Sequence, residues 1–461
     1  MAEIITIETP TLGDRSYVVH DGRSAIVIDP QRDIDRVVDV LERAGVQLEA
    51  VFETHIHNDY ITGGLALARK FGADYYVNAA DEVSFERSPI ADGQVVEVSP
   101  TMHVKALATP GHTFTHLSYV LIDPTADDHG AEGRAVFTGG SLLFGATGRP
   151  DLLGEDHTHE LVRHQYHSAQ RLAAELPEST EVLPTHGFGS FCSATETEGD
   201  ESTIGREKQV NSALTTDEEE WIEEILAGLD VYPAYYAHMA PANAAGPTEP
   251  DLSEPTRADR EEIRARLGRG EWVVDLRNRT AYAAGHVPGS FNFGLDGSMA
   301  TYLGWIIPWG TPLTLLGESR EQVAEGQREL VRIGIDRVAA SATGGPDDWT
   351  DKPATLQQAD FGDLREVRHH RRVEVLDVRR ASEFEARHIE GATNIPLHEL
   401  LDRMDEAPGG EIWVHCESGY RSSIAASMLL AARKKVVAID DDFDNAAKRG
   451  LPLTEAGVDG E

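Results

Sequence analysis

The stretch THIHNDYITGG, residues 54–64, sets two histidines and an aspartate at alternating positions, and it decides how the first half of the chain is interpreted. It follows EAVFE, residues 49–53, whose short apolar pattern predicts a buried strand. At the end of a strand His55, His57 and Asp59 can converge on one ion, because neutral imidazole and ionised carboxylate suit zinc, iron and manganese. The stretch therefore predicts a metal site.

Two further histidines lie in similar surroundings. PGHT, residues 110–113, places His112 in a glycine turn, where the backbone can approach a ligand closely. EVLPTHG, residues 181–187, places His186 at the end of another predicted strand. A single histidine is most often structural, whereas three such sites favour one shared metal centre. The predicted ligands are His55, His57, Asp59, His112 and His186.

The pattern of strands and helices divides the chain into three parts. Short predicted strands alternate with amphipathic segments over residues 1–245, which is typical of an α/β domain. Residues 232–256 contain five prolines and are predicted to be a linker that cannot hold a long helix. Two smaller α/β domains are expected at 256–345 and 358–458.

The last two domains are copies of one unit. VVDLR at 273–277 matches VLDVR at 375–379, and GHVPGSFN at 285–292 matches RHIEGATN at 387–394. The offset is constant, since 377 − 275 and 394 − 292 both give 102 residues. A constant offset predicts a tandem repeat, each copy a small domain with a strand, a helix and a short turn.

The second copy contains a cysteine where a strand meets a helix. IWVHCESGYRSS, residues 412–423, predicts a strand, a loop around Cys416 and the start of a helix. The free amides and the dipole of a helix N-terminus stabilise a thiolate, and the charge of Arg421 lowers the thiol pKa further. Gly419 lets the loop curl so that its amides point at one spot. A packing role is the default for a buried cysteine, but this pattern predicts a reactive one.

The first copy has no such thiol. Its corresponding segment, LTLLGESR at 313–320, places Leu316 or Gly317 where the cysteine would be. The first copy is therefore expected to be a non-catalytic spacer or docking module.

These motifs resemble two known families. Residues 1 to about 230 resemble the metallo-β-lactamase superfamily, and within it the persulfide dioxygenases; further shared motifs are FTGG at 137–140, GRPD at 148–151 and TIGRE at 203–207. This resemblance implies an αββα sandwich and a mononuclear non-haem iron, Fe(II), held by two histidines that match His55 and His112 and by one aspartate.

The repeats resemble rhodanese-type sulfurtransferases, small α/β domains with parallel sheets. The resemblance rests on the loop and on the motifs DVR at 377–379 and HIEGA at 388–392. The catalytic cysteine of that family matches Cys416, and its loop arginine matches Arg421. The whole arrangement is similar to bacterial fusions of a persulfide dioxygenase with a sulfurtransferase, which implies a role in sulfide detoxification.

Two departures from the family pattern bear on the metal. Tyr60 stands where the superfamily usually has a histidine of a second metal site, which counts against a dinuclear zinc enzyme. Gly140 stands where the ligand aspartate is expected, so the set of two histidines and one carboxylate is incomplete. Three outcomes remain open. Water or substrate fills the position, with His57 as a further ligand; or Asp151 or Asp59 replaces the carboxylate; or the domain binds no metal. Where metal is bound, Zn²⁺ is the alternative to Fe(II).

Three hypotheses for function follow. In the first, the N-terminal domain oxidises a low-molecular-weight thiol persulfide with O₂ to sulfite, and Cys416 transfers sulfur from thiosulfate or a persulfide. In the second, only Cys416 reacts and the N-terminal domain is a metal-poor persulfide-binding module. In the third, the chain is a thioester hydrolase like glyoxalase II. Cys192, six residues after His186, is either a sulfur acceptor near the metal pocket or an ordinary loop thiol.

Composition limits the classes of partner. The 461 residues carry 79 acidic and 41 basic side chains, a net charge of −38, which argues against nucleic acid and anionic membranes as partners. No run of eighteen apolar residues and no signal peptide is visible, so a cytoplasmic protein is expected, with a homo-oligomer open. Two cysteines in so long a chain do not predict a disulfide framework.

Overall fold

The computed structural model describes residues 2–126, 133–195, 197, 199–336 and 338–455. Contacts divide the chain into two compact units. The first unit comprises Met1–Asp251 with Val331–Gly334, and the second comprises Leu252–Leu330 with Ile335–Glu461. Among the described residues, no helix combines the length and the apolar character needed to cross a bilayer.

The first unit contains two six-stranded sheets. One has the order β1-β2-β3-β4-β5-β6 and the other the order β12-β11-β10-β9-β8-β7. The strands are β1 Glu3–Thr9, β2 Asp14–His20, β3 Ser24–Ile28, β4 Gln47–Phe52, β5 Asp74–Asn78, β6 Ser88–Ile90, β7 Val95–Ser99, β8 Met102–Ala108, β9 Leu117–Ile122, β10 Ala135–Gly139, β11 Glu181–Pro184 and β12 Ser202–Thr203.

Helices cover the outer faces of both sheets. They are α1 Asp35–Ala44, α2 Gly64–Phe71, α3 Glu155–Glu175, α4 Ile204–Val210, α5 Ser212–Thr215, α6 Glu218–Gly228 and α7 Tyr236–Ala245. Valine and leucine side chains of α1 and α2 pack on the first sheet, and α3 packs on the second. The layers are therefore helix, sheet, sheet, helix, which confirms the predicted αββα sandwich.

The main core lies between the two sheets. Tyr17, Ile26 and Phe52 from the first sheet pack with Tyr119 and Phe137 from the second, and all are fully buried or nearly so. Strands covered on both faces are apolar on both faces, which explains their continuous hydrophobic runs. Full burial of one such side chain contributes about 1.5–3 kcal/mol, so this layer fixes the strand ends that carry the histidines.

The proline-rich segment predicted to be a linker contains a helix. α7 spans ten residues with Pro241 inside it. Proline removes one helical hydrogen bond, but tertiary contacts compensate for this loss. The buried amide of Asn243 accepts a hydrogen bond from Thr62 N–H (2.9 Å) and donates to the carbonyl oxygens of His57 (2.9 Å) and Tyr60 (2.8 Å). The expectation that this stretch is only a linker is therefore wrong.

The second unit contains two parallel sheets, one per repeat. The first repeat has the order β14-β13-β15-β16, and the second has β17-β22-β21-β18-β20 with a small antiparallel pair, β19-β23. The strands are β13 Trp272–Asp275, β14 Phe291–Asn292, β15 Leu313–Gly317, β16 Val338–Thr343, β17 Gln357–Ala359, β18 Glu374–Asp377, β19 Arg387–Ile389, β20 Thr393–Asn394, β21 Glu411–His415, β22 Lys435–Ile439 and β23 Leu453–Glu455.

Helices flank both of these sheets. They are α8 Arg260–Gly268, α9 Arg279–Ala284, α10 Met299–Ile306, α11 Arg320–Arg332, α12 Pro346–Trp349, α13 Phe361–His370, α14 Ala381–Ala386, α15 Tyr420–Ala431 and α16 Asp444–Lys448, with 3₁₀ turns at Leu397–Glu399 and Met404–Glu406.

The two repeats match at the level of single hydrogen bonds. In the first repeat, Arg277 Nη2 donates to Asp275 Oδ2 (2.6 Å) and to Gly285 O (2.7 Å). In the second, Arg379 Nη2 donates to Asp377 Oδ2 (2.7 Å) and to Arg387 O (2.6 Å), and Arg387 lies 102 positions after Gly285. The structure thus confirms the predicted tandem repeat.

Candidate functional site

Three buried imidazoles converge at one edge of the first unit. His55 follows β4, His112 lies in the turn between β8 and β9, and His186 follows β11. Each offers one nitrogen, and the three nitrogens lie within 4.8 Å of one another. The Nε2 atoms of His55 and His186 are 3.5 Å apart. The strand ends carry these side chains to one point, as the sequence predicts for a shared metal centre.

The Nδ1 atom of each ring is held by an acceptor. His112 Nδ1 donates to Arg149 O, and His186 Nδ1 to Asp14 Oδ1, each over 2.9 Å. His55 Nδ1 donates to Thr54 Oγ1 (2.9 Å), and the Thr54 hydroxyl in turn donates to Asp29 Oδ2. This places the Nε2 atoms on the side facing the cluster. Metal-bound histidines are commonly oriented by such a bond on the other ring nitrogen.

The rings differ in charge because their neighbours differ. Burial, followed by the charge of His186, lowers the pKa of His112 to about 3. Burial also disfavours charge on His186, but the carboxylates of Asp59 and Asp14 outweigh it and raise its pKa to about 10. The Nε2 atom of His112 is buried without a hydrogen-bond partner among the described residues. A desolvated lone pair facing two other imidazoles fits a metal ion as its partner.

The Nε2 atom of His57 is bound by other groups, although its ring lies 4.1 Å from that of His55 between centroids. Its Nε2 lies 3.3 Å from Asp29 Oδ1, 3.3 Å from Glu53 Oε2 and 3.0 Å from the Tyr60 hydroxyl. Burial opposes a charge on His57, but the charge of Asp29 and the bonds to both carboxylates raise its pKa to about 9. His57 also belongs with Asp59 and His186 to a second group of ligand-type atoms. The structure thus brings the predicted ligands into two adjoining groups.

Gly140 provides space for His112. A Cβ atom at Gly140 would lie 2.4 Å from His112 Cδ2, and one at Gly148 would lie 2.8 Å from His112 Nδ1. The ring of His112 therefore occupies the place where a side chain at position 140 would begin. The backbone N–H of Gly140 donates to Nε2 of His116 (3.0 Å).

His116 is a further buried histidine beside the cluster, and the sequence analysis missed it. Its Nδ1 is 2.9 Å from Thr109 Oγ1, and its ring stacks on that of His55 at 4.9 Å between centroids. Both of its nitrogens are engaged by the protein, so His116 supports the cluster rather than offering a ligand atom. Its position four residues after His112 was the only signal in the sequence.

Asp151 does not reach the imidazoles. Both of its oxygens accept hydrogen bonds from Arg149, over 2.6 Å from Nε and 2.7 Å from Nη2. The expectation that Asp151 replaces the missing carboxylate is corrected by this pair, because the strong guanidinium partner holds the side chain.

Cys192 lies beside the cluster but is poorly suited to accept sulfur. It is fully buried, and its Sγ is 3.8 Å from the Tyr236 hydroxyl. Burial, followed by the negative charges of Asp59 and Asp14, raises the pKa of this thiol well above its ordinary value. Because the thiolate is the nucleophile, the arrangement favours an inert thiol.

The Cys416 loop has the predicted strand, turn and helix. It joins β21 to α15, and Gly419 precedes the helix with φ 93°, a conformation that favours glycine. The N–H of Gly419 donates to Cys416 Sγ over 3.2 Å. Cys416 is only 2% exposed, so the loop encloses most of the thiol. The sulfur atom therefore lies at the N-terminal end of a twelve-residue helix.

Arg421 is bound to a carboxylate that the sequence analysis did not single out. Its two Nη atoms donate to Glu383 over 2.6 and 2.7 Å, and Arg380 donates to the same carboxylate. Although burial opposes ionisation, the hydrogen bond from Arg421 lowers the pKa of Glu383 to about 2. The guanidinium lies near the loop with much of its charge balanced.

The first repeat holds the loop in place. Tyr420 Oη donates to Gly294 O (2.7 Å), and Ser423 Oγ donates to Asn292 Oδ1 (2.7 Å). In addition, Arg279 Nε donates to Asp440 Oδ1 (2.6 Å). These contacts join residues more than a hundred positions apart, which is why local sequence patterns did not indicate them. The first repeat is therefore a structural support for the thiol.

Comparisons with known families agree with this division. A sequence model described as the Metallo-beta-lactamase superfamily matches residues 12–186. A model described as Rhodanese-like domain matches twice, at 259–352 and at 360–448.

Individual relatives match the first unit. A probable polyketide biosynthesis zinc-dependent hydrolase, BaeB, of Bacillus velezensis is 32% identical over 180 residues, covering 38% of this chain and 72% of the relative. A hydroxyacylglutathione hydrolase of Acidiphilium cryptum is 33% identical over 183 residues, covering 39% of this chain and 67% of the relative.

One solved structure extends over more of the chain. It is a metallo-beta-lactamase from Staphylococcus aureus subsp. aureus COL, which aligns with a TM-score of 0.65 and 25% identity. The alignment covers 74% of this chain and 99% of that one. The similarity therefore includes part of the second unit as well as the first.

Proposed function

Because the chain belongs to the metallo-beta-lactamase superfamily and continues into two rhodanese-like domains, we propose that it acts on sulfane sulfur, with Cys416 as the atom that accepts and transfers it. The observation that carries the proposal is the Cys416 Sγ atom, which accepts the Gly419 N–H at the start of α15. A helix N-terminus favours the negative charge of a thiolate and, equally, that of a persulfide.

The transfer takes two displacement steps. The Cys416 thiolate attacks the outer sulfur of thiosulfate, forms the S–S bond of an enzyme persulfide, and releases sulfite with the electron pair of the broken S–S bond. An acceptor such as cyanide or a thiolate then attacks the outer sulfur of that persulfide, and Cys416 leaves as the thiolate. No external oxidant is consumed, because the transferred sulfur atom keeps its oxidation state in both displacements while each leaving group takes the electron pair of the bond that breaks.

Mass spectrometry of the intact chain tests this proposal. After incubation with thiosulfate, we expect a gain of one sulfur atom, located on the peptide that contains Cys416 and removed by cyanide with release of thiocyanate. Cys416→Ser should abolish both signals, whereas Cys192→Ser is the matched control and should retain them. Sulfur found on Cys192 alone, or on neither cysteine, would refute the assignment.

A second activity is proposed for the first unit, where three buried imidazoles meet. Oxidation of a thiol persulfide, RSSH + O₂ + H₂O → RSH + H₂SO₃, would yield sulfite there. His55, His112 and His186 would hold the metal, and iron, when bound, would supply the activation of O₂. The residues around them would exclude water, since every ring in the cluster is buried.

Oxygen uptake tests the second activity separately. Full-length protein loaded anaerobically with Fe(II) should consume O₂ on addition of glutathione persulfide, and Cys416→Ser should retain this uptake. Absence of uptake by protein that holds one equivalent of iron would leave a sulfurtransferase whose first unit only binds ligands.

Thioester hydrolysis is less well supported by the geometry. Hydroxyacylglutathione hydrolases occur among the relatives, and such enzymes would use a metal pair. Here Tyr60 and His57 hydrogen-bond to each other, and His57 is paired with Asp29 and Glu53. These contacts engage the Nε2 atom of His57, which would otherwise be available to a second ion.

A further inference from the structure

We propose that this chain binds its metal ion through three imidazoles, those of His55, His112 and His186, with His186 taking the role of the carboxylate that is absent at position 140. The proposal concerns the ligand set and goes beyond sulfur transfer at Cys416, which requires no metal. It also holds whichever reaction the first unit catalyses.

The orientation of each ring carries the first step. Every Nδ1 atom is committed to an acceptor of the protein: Thr54 Oγ1, Arg149 O and Asp14 Oδ1. Three unrelated acceptors thus hold the three rings in the same orientation, with each Nδ1 turned toward the surrounding protein. The Nε2 atoms are thereby left as the ligand atoms: those of His55 and His186 are 3.5 Å apart, and one nitrogen of each of the three rings lies within 4.8 Å of the others.

The unmade hydrogen bond of His112 carries the second step. Its Nε2 is buried and has no hydrogen-bond partner among the described residues. A buried nitrogen lone pair without a partner is unfavourable, and a cation at the centre of the cluster would satisfy it. The same ion would meet the Nε2 atoms of His55 and His186, which already lie 3.5 Å apart.

The hydrogen bonds of His116 support this selection. His116 stacks on His55, yet its Nε2 accepts the Gly140 N–H and its Nδ1 contacts Thr109 Oγ1. Its two nitrogens are therefore occupied by the protein. Burial and proximity alone would include His116, whereas its hydrogen bonds exclude it as a ligand.

The glycine at position 140 carries the last step. A Cβ there would lie 2.4 Å from His112 Cδ2 and 2.6 Å from His112 Cγ, closer than non-bonded carbon atoms can approach. An aspartate at this position and the observed His112 ring exclude each other. Gly140 is therefore a requirement of the three-imidazole arrangement, and the carboxylates near the cluster, Asp14 and Asp59, act from behind His186.

Such a ligand set has consequences for what the ion binds. Three imidazoles contribute no charge, so a divalent ion keeps its full double positive charge apart from the carboxylates behind it. Three protein ligands on an ion that prefers four leave one position for an exogenous group. An anionic sulfur or oxygen ligand, such as a persulfide or sulfite, is the class that this charge favours.

Cobalt(II) binding to the full-length protein tests the ligand set without reference to activity. In the proton NMR spectrum of the Co(II) form, each histidine bound through Nε2 keeps its Nδ1 proton and gives one strongly shifted, exchangeable signal. We expect three such signals in the unmodified protein. Two signals, or none together with a bound ion, would overturn the proposal even if no variant folds.

Variants give the second readout. His186→Gln should weaken Co(II) affinity at least about 100-fold and remove one shifted signal, while His164→Gln, an exposed histidine on α3, should leave the affinity unchanged. Unchanged affinity in His186→Gln would assign the site to other ligands. Because both readouts use metal binding alone, their failure would leave sulfur transfer at Cys416 standing.

Gly140→Asp distinguishes the proposal from a simple loss of a ligand. If position 140 lacked only its carboxylate, the substitution would tighten metal binding. The overlap with His112 instead predicts weaker binding, with the fold monitored by circular dichroism. A folded Gly140→Asp variant that binds Co(II) more tightly than the unmodified protein would contradict the three-imidazole site.

Discussion

The two repeats of the second unit share one scaffold and differ in one loop. This loop follows β15, which pairs with β13, in the first repeat and β21, which pairs with β18, in the second. Asp275 of the first repeat lies opposite Leu316, and Asp377 of the second lies opposite His415. The next residues are Gly317 and Cys416, so Gly317 occupies in the first repeat the position that Cys416 occupies in the second.

The loops around these two positions are built differently. In the first repeat, a Cβ on Gly317 would lie 3.0 Å from Val323 Cγ2 and 3.2 Å from Gln322 Oε1, and Gln322 also accepts the Glu318 N–H over 2.7 Å. In the second repeat, the N–H three residues after Cys416, that of Gly419, donates to sulfur. The first repeat therefore lacks both the cysteine and the loop arrangement in which a backbone N–H donates to its sulfur.

The largest effect is expected from exchanging the two positions. Cys416→Ser should lower sulfur transfer by about 10³-fold or more, because no other group in the loop can act as the nucleophile. Gly317→Cys in that background should restore nothing, since Gln322 and Val323 fill the space. The assay is thiocyanate release from thiosulfate and cyanide; recovered activity would mean that a thiol alone is sufficient.

The shared scaffold offers a test in which both repeats should respond alike. Asp275→Ala and Asp377→Ala each leave a buried arginine without its carboxylate partner. Each should lower the free energy of unfolding by about 3–5 kcal/mol. Thermal unfolding of the two variants, followed by calorimetry, measures this. A large loss for one and none for the other would show that the equivalence does not extend to energetics.

The ion pair of Glu383 with Arg421 sharpens the comparison, because the first repeat has Ala281 at the position equivalent to Glu383. Glu383→Gln should lower stability at pH 7 by about 1–2 kcal/mol. The pKa of Glu383 is lowered to about 2, so the pair stabilises fully above the ordinary carboxyl range and loses this effect as the pH falls toward 2.

Unfolding of unmodified protein and Glu383→Gln across that pH range is the measurement, and the two curves should converge at the acid end. A difference that stays constant with pH would assign the effect to packing rather than to charge. Ala281→Ser, which lies in the first repeat and outside this pair, serves as the matched control.

The smallest effect is expected where the first repeat supports the second. Tyr420→Phe removes the hydrogen bond to Gly294 O and should cost about 1 kcal/mol of stability. Sulfur loading of Cys416 should slow several-fold, as the start of α15 becomes less well held. Unchanged loading together with reduced stability would limit this contact to a structural role.

The Cys416 loop could be predicted from a local pattern and the repeat from a constant offset of 102 residues, whereas the αββα sandwich was predicted only from the resemblance to a known family. The division of the histidines could not be predicted. Whether His57 or His186 joins His55 depends on carboxylates brought in from distant strands, such as Asp29 and Asp14. The role of Gly140 as space for a ring likewise requires coordinates, since in sequence it reads as a missing ligand.

The amide of Asn243 ties the histidine loop to a helix that lies 186 residues further along the chain than His57. Limited proteolysis within the preceding segment, before Tyr236, would release that helix and leave the carbonyls of His57 and Tyr60 without their donor. An isolated N-terminal fragment intended for biophysical work should therefore extend past residue 246. Fragments that end earlier would retain every predicted ligand and still lose the rigidity that aligns them.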